Sequence, residues 1–276
     1  MLKTRIITAV VLLAVLLPVL FLGSPLAVTA LCAVFFFAAS WESLRLFGHR
    51  IVIPATVVWS GLFIWLAYTG NATQLLLVWV LGVFAWVIKF TPSLKFGLPT
   101  NEAFANRIYS VMYLMSILGC FLAMVAFQRH SAVYLLSVMA IVWVADIGAY
   151  FSGKAFGKHK LAPTISPGKS WEGAIGGWFC VLILAGLTTQ ISFLSDSFSP
   201  TLQRHWGWTG LVLVLTLLTA ASVVGDLVES QLKRRAEVKD SSHLLPGHGG
   251  VLDRIDALIP VLPLAMLIHT YMEVAR

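Results

Sequence analysis

Six acids and five bases fall between Asp226 and Asp256 of a 276-residue chain in which only 11% of residues are charged. The acids are Asp226, Glu229, Glu237, Asp240, Asp253 and Asp256; the bases are Lys233, Arg234, Arg235, Lys239 and Arg254. Carboxylates bind hard divalent cations through oxygen, while Lys and Arg offset phosphate charge that a metal leaves uncovered. So even a mixture of both signs in so short a stretch points to a metal ion together with a polyanionic substrate. Mg²⁺ suits this reading, because it takes one or two carboxylates plus substrate phosphate oxygens and water. Asp253 and Asp256 are three apart and share a face if a helix begins there, and Asp226 is expected to meet them across the intervening loop. His248-Gly249-Gly250 suits close approach to phosphate, since glycine lets backbone N–H groups curl toward an anion without a side-chain clash.

A second charged segment, FGKHKLAPTISPGKSWEG at 156–173, adds Lys158, Lys160 and Lys169, with Lys154 just ahead of it. Ser170 and Glu172 stand where a helix should begin, and they can serve a substrate or simply cap that helix. Asp146, in VWVADIGAYF, is an acid inside an apolar run. Such residues are costly in lipid and mark functional sites by default; the alternative is an acid near a helix end that snorkels or pairs with a lysine.

The elements that must position these groups are membrane helices. Hydrophobic residues make up 59% of the chain, too many for one water-soluble core. Nine apolar runs approach or reach the roughly 17–25 residues that cross a bilayer: 6–22, 25–41, 53–68, 73–88, 108–127, 132–151, 173–194, 207–225 and 258–272. Strand alternation is absent, so the expected fold is all-α, a polytopic bundle rather than a barrel. With the N-terminus cytoplasmic, only Arg129, Arg204 and Arg276 among the Lys and Arg residues fall outside, the asymmetry of the positive-inside rule. The net charge of +7 is then largely topology, and no nucleic-acid partner is expected. The first run exceeds the roughly 7–15 residues of a signal-peptide core and is expected to stay as an anchor. Cys32, Cys120 and Cys180 lie in apolar runs and are expected to be buried thiols, and no Cys/His spacing suggests zinc. Residues 1–130 form a scaffold that offers lipid contacts or a homodimer surface. Residues 131–276 form the catalytic region, with cytoplasmic loops at 152–172 and 226–257. Gly173 and Gly177, four apart, allow close helix packing.

The stretch SQLKRRAEVKDSSHLLPGHGGVLDRID, residues 230–256, resembles the signature of the phosphatidate cytidylyltransferases, the CDP-diacylglycerol synthases. The pattern is Ser-x-apolar-Lys-Arg, four residues, Lys-Asp, then Pro-x-His-Gly-Gly-apolar-x-Asp-Arg-apolar-Asp. It is filled by Ser230, Lys233, Arg234, Lys239, Asp240, Pro246, His248, Gly249, Gly250, Asp253, Arg254 and Asp256. Upstream, Asp146, Ser166, Pro167, Lys169, Ser170, Trp171 and Glu172 are similar to the family's second patch. Ala257 departs from it, standing where many members carry Ser.

The resemblance implies an integral membrane enzyme that joins CTP to phosphatidic acid with Mg²⁺, leaving open a second, monovalent cation. Asp226 and Asp256 would hold the metal, with Asp253 and Asp146 as further ligands or orienting groups. Lys233, Arg234, Lys239 and Lys169 would clamp phosphates, Ser170 and Ser230 would donate hydrogen bonds, and His248 would orient or protonate phosphate. Asp240, Arg254 and Glu172 belong to the same expected site, which should face the cytoplasm of a bacterial inner membrane. Two rivals are a transporter, which would spread its charges through the membrane depth, and a CTP-dependent polyprenol or phytol kinase, which would transfer the γ-phosphate.

Overall fold

The computed structural model describes residues 2–274, with side chains from Ile6 onward; Arg276, assigned above to the outer face, lies outside the described residues. Among the described residues, eleven α-helices follow one another. They are α1 (Leu2–Leu22), α2 (Pro25–Leu46), α3 (Val52–Thr69), α4 (Ala72–Ala85), α5 (Thr91–Phe96), α6 (Phe104–His130), α7 (Ala132–Phe156), α8 (Trp171–Thr188), α9 (Phe198–Arg235), α10 (Leu252–Ile255) and α11 (Leu258–Val274). A π-helical turn, Trp86–Phe90, fuses α4 and α5 into one span. Among the described residues, seven helices are long and apolar enough to cross a membrane, and Ile6–Leu22 and Leu258–Val274 are shorter apolar helices. The nine expected runs thus reappear in order, and the protein is a helical, polytopic membrane protein.

The outward faces read as lipid contacts. On α8, Ile175, Phe179, Ile183 and Leu187 are exposed, while Gly173, Gly177, Val181 and Ala185 are buried. Both sets repeat every four residues, so one face offers bulk to lipid and the other offers small residues to a neighbour, as membrane interfaces require. The neighbour is α7. A Cβ added to Gly177 would lie 2.4 Å from the Ala145 carbonyl oxygen, and one added to Gly148 would lie 2.8 Å from Cys180 Sγ. The expected close packing through Gly173 and Gly177 is therefore present. Gly177→Val is expected to push α7 and α8 apart and cost about 1–3 kcal/mol, read as a lower thermal midpoint in detergent; an unchanged midpoint would contradict this packing. Helix α6 forms the centre of the bundle, packed on α2, α4, α7 and α11, with Ile117, Leu118, Cys120 and Phe127 wholly buried. No disulfide joins the cysteines, and only Cys120 is fully buried.

The structure corrects several expected boundaries. The eighth apolar run ends at Gly225, yet α9 continues to Arg235. Asp226, Glu229, Ser230, Lys233 and Arg234 therefore lie on a helix rather than in a loop. The reason is local: residues 226–235 contain no Gly or Pro, and Leu227, Val228 and Leu232 keep one face buried. Helix α9 is broken at Gly207, whose φ of +66° favours glycine, and it ends where Glu237 turns left-handed at φ +57°. The 152–172 segment is not wholly a loop either. Helix α7 runs on to Phe156, and β1 (Lys160–Ala162) pairs antiparallel with β2 (Ser166–Ser170), a hairpin too short to announce itself by alternation. Asp253 and Asp256 do not lie on a common long helix: Asp253 belongs to the four-residue α10 and Asp256 to the turn before α11.

Candidate functional site

A cavity of about 560 Å³ opens where α7, the hairpin, α9 and α10 converge. Helix α7 contributes Asp146 and Lys154, the hairpin Lys169 and Ser170, α9 Asp226, and α10 with the following turn Asp253, Arg254 and Asp256. Apart from Asp146 and Lys154, which precede them on α7, these residues come from the two charged segments singled out in the sequence, here joined around one space. The size falls within the roughly 300–1,000 Å³ of small-molecule sites.

The carboxylates differ in how fully the protein occupies them. Asp226 Oδ2 pairs with Lys169 Nζ at 2.6 Å, and its Oδ1 accepts a bond from Ser230 Oγ at 3.3 Å. Asp253 is saturated. Lys233 Nζ donates to its Oδ1 at 2.6 Å, and Oδ2 accepts from Gly250 N at 2.7 Å, Ser241 N at 2.9 Å and Ser241 Oγ at 2.9 Å. Burial alone would raise its pKa, but these donors outweigh burial and hold the carboxyl below the usual carboxylate range. Asp256 is the opposite case: Ala257 N donates to its Oδ1 at 2.8 Å. Burial, and then the negative charge of Asp226, push its carboxyl up to about 8. Among the described residues, no three His, Cys, Asp or Glu side chains are grouped so as to hold a metal ion by themselves.

Other expected residues stand outside the cavity wall. Lys233 is held between Asp253 and the wholly buried Glu229. Arg234 and Lys239 are exposed and Asp240 is half-buried. His248 takes part through its backbone, its carbonyl accepting Arg254 Nε at 3.0 Å, while its Nδ1 is buried without a partner. Gly249 and Gly250 wrap internal carboxylates: Gly249 has φ +82°, where a Cβ would lie 2.7 Å from Asp253 Oδ2, and Gly250 gives its N–H to that same oxygen. Ser170 lines the cavity and also caps α8 through Gly173 N at 3.1 Å. Glu172 braces the hairpin, accepting from Lys158 N at 3.1 Å and pairing with His159 Nδ1 at 2.6 Å.

Sequence reading missed Glu42. It lies in the segment expected to be scaffold alone, yet the Glu42 carboxylate of α2 is buried within the signature loop. Its only sequence signal was an acid following an apolar run, and its partners lie some two hundred positions away.

Taken together, a lipid-facing bundle with a charged cavity of small-molecule size defines an integral membrane protein with a polar binding site. Residues 3–272 match the model of the cytidylyltransferase family, and the chain belongs to that family. It is accordingly a nucleotidyltransferase. It is 38% identical to a phosphatidate cytidylyltransferase of Haemophilus influenzae, over 95% of this chain and 96% of the relative. It is also 38% identical to one of Pseudomonas aeruginosa, over 95% of each chain, and 34% identical to one of Staphylococcus aureus, over 95% of this chain and 96% of the relative.

Proposed function

We propose that the protein transfers the cytidylyl group of CTP to phosphatidic acid, giving CDP-diacylglycerol and pyrophosphate, at the cytoplasmic face of a bacterial inner membrane. The observation that carries this reading is the cavity whose wall holds Asp146, Asp226 and Asp256 together with Lys154, Lys169 and Arg254, in a chain of this family. A phosphate oxygen of the lipid attacks the α-phosphorus of CTP, and the bond to the β-phosphate breaks. The attacking phosphomonoester is already ionised near neutral pH, its second pKa being about 6, so no general base is needed. The obstacle is repulsion between two anions, and positioning with electrostatic compensation is the remedy.

Each residue has a task in this scheme. Lys154, Lys169 and Arg254 offset phosphate charge, and Lys169 is released from Asp226 as substrate or cation arrives. The donor set fits Mg²⁺, since Asp226 and Asp256 are hard oxygen donors whose mutual repulsion a cation would relieve, with Asp146 on the same wall. Such an ion, when bound, would neutralise triphosphate oxygens and polarise the reacting phosphorus. Asp253, whose oxygens are already occupied, positions Lys233 and the loop. Its location also suits the chemistry, since acyl chains can remain in lipid while CTP arrives from water.

The test is direct. Purified protein, phosphatidic acid, Mg²⁺ and CTP labelled at the α-phosphate are expected to carry label into the lipid fraction, and EDTA is expected to abolish this. Absence of label from folded protein would refute the reading. Label entering a lipid alcohol only from γ-labelled CTP would identify a kinase instead.

A further inference from the structure

We propose that Glu42 is a positioning residue for the transfer reaction, fastening the signature loop so that α10 and Asp256 face the cavity; this rests on the function proposed above. Glu42 lies near the end of the membrane helix α2 and is wholly buried. A carboxylate in such a place is costly unless its oxygens are satisfied. Four groups lie within hydrogen-bond distance of it: Ser242 Oγ at 2.5 Å, Leu252 N at 2.6 Å, Val251 N at 3.0 Å and Ser241 Oγ at 3.1 Å, the last sharing its single proton with Asp253. Two come from the descending limb of the loop and two from its return, so one side chain staples both limbs. The Ser241 hydroxyl also lies 2.9 Å from Asp253 Oδ2, which links the staple to the cavity wall.

Two further observations agree. A Cβ added at Gly250 would lie 2.5 Å from Glu42 Oε1 and 2.1 Å from Ser241 Oγ, so glycine at 250 is what lets the carboxylate enter the loop. The beginning of the same connection is tied to the end of α2 as well. Arg235 lies over the Phe47 ring, 5.0 Å from its centroid, and donates to Asn106 Oδ1 at 2.8 Å, while Asn106 donates to the Phe47 carbonyl at 2.9 Å. The last turns of α2 thus grip the connector between α9 and α10 at both ends. Glu42 does not line the cavity; it acts through the residues that do.

The experiment compares the full chain in detergent with Glu42→Gln, Glu42→Asp and Ser242→Ala, by hydrogen exchange and by cytidylyl transfer. A glutamine must turn an amide N–H₂ toward groups that are themselves donors. Glu42→Gln is therefore expected to speed exchange in residues 239–252 with the other helices unchanged, and to lower turnover about 10–100-fold, the range for residues that orient a site from behind. Glu42→Asp keeps the charge and is expected to retain more turnover than Gln. Ser242→Ala, which removes one of four bonds and keeps the fold, is expected to loosen the same peptide to a smaller degree. Wild-type exchange in the loop of Glu42→Gln, a rise spread equally over all helices, or equal loss in the Asp and Gln variants would overturn the proposal. The exchange measurement needs no substrate, so a wild-type protein that made no labelled lipid would refute the transfer reading alone.

Discussion

Asp256→Asn is expected to lower cytidylyl transfer by about a hundred- to a thousandfold, the scale of losing one preorganised electrostatic partner of the transition state, while leaving the fold intact. Asn has nearly the same shape, and it can still accept the bond that Asp256 Oδ1 takes from Ala257 N. What disappears is the capacity to become a carboxylate opposite Asp226. Ionising that carboxyl is also a burden on the folded protein. Because the Asp256 carboxyl is pushed up to about 8, the native state holds a proton there that the unfolded chain has already lost. Between the ordinary carboxylate pKa and about 8, the native state binds more protons, so this group's contribution to stability falls as pH rises. Asn carries no such proton. The variant should therefore gain in thermal midpoint over the wild type as pH increases through that window, with the difference small near about pH 4 and levelling above about pH 8. Unaltered turnover in Asp256→Asn would remove this residue from the mechanism. A midpoint difference that did not grow with pH would mean that Asp256 is not held under electrostatic strain.

The sequence could locate Asp146, Lys169, Asp226, Asp253, Arg254 and Asp256 because each breaks an apolar or glycine-rich context, and all six line one cavity. The spans were legible for the same reason: an apolar run of sufficient length has few alternatives in a bilayer. What hydropathy could not show was where helices stop. Beyond Gly225 the chain turns polar, yet residues 226–235 keep a helical stripe in Leu227, Val228 and Leu232, and periodicity was the better guide there. Nor could spacing reveal that Gly250 N donates to Asp253, rather than pointing at a phosphate. Glycines in such a motif suggest room for substrate, whereas here they make room for two internal carboxylates, those of Asp253 and Glu42. Glu42 itself was invisible because its meaning lies entirely in contacts distant along the chain.

Lys233 illustrates the same distinction between touching a substrate and holding the wall beside it. Its ammonium is bonded to Asp253 and paired with Glu229, and its side chain is only 14% exposed while that of Glu229 is wholly buried. Lys233→Met would leave both acids without their cation, Glu229 in an apolar setting. Breaking a buried pair in this way typically costs about 3–5 kcal/mol, because the remaining charge has no solvent to return to. We expect a loss of stability of that order in denaturant or thermal unfolding, together with loss of transfer as α10 loses its tie to α9. The double variant Glu229→Gln, Lys233→Met is expected to recover much of the stability, since Asp253 keeps its bonds from Gly250 and Ser241, but not the activity. Were Lys233 instead a clamp on substrate phosphate alone, Lys233→Met would abolish transfer at undiminished stability, and the double variant would bring no recovery. The arrangement favours the first outcome: an ammonium engaged by two carboxylates one turn and one loop apart ties α9 to α10, and the cavity between Asp226 and Asp256 depends on that tie.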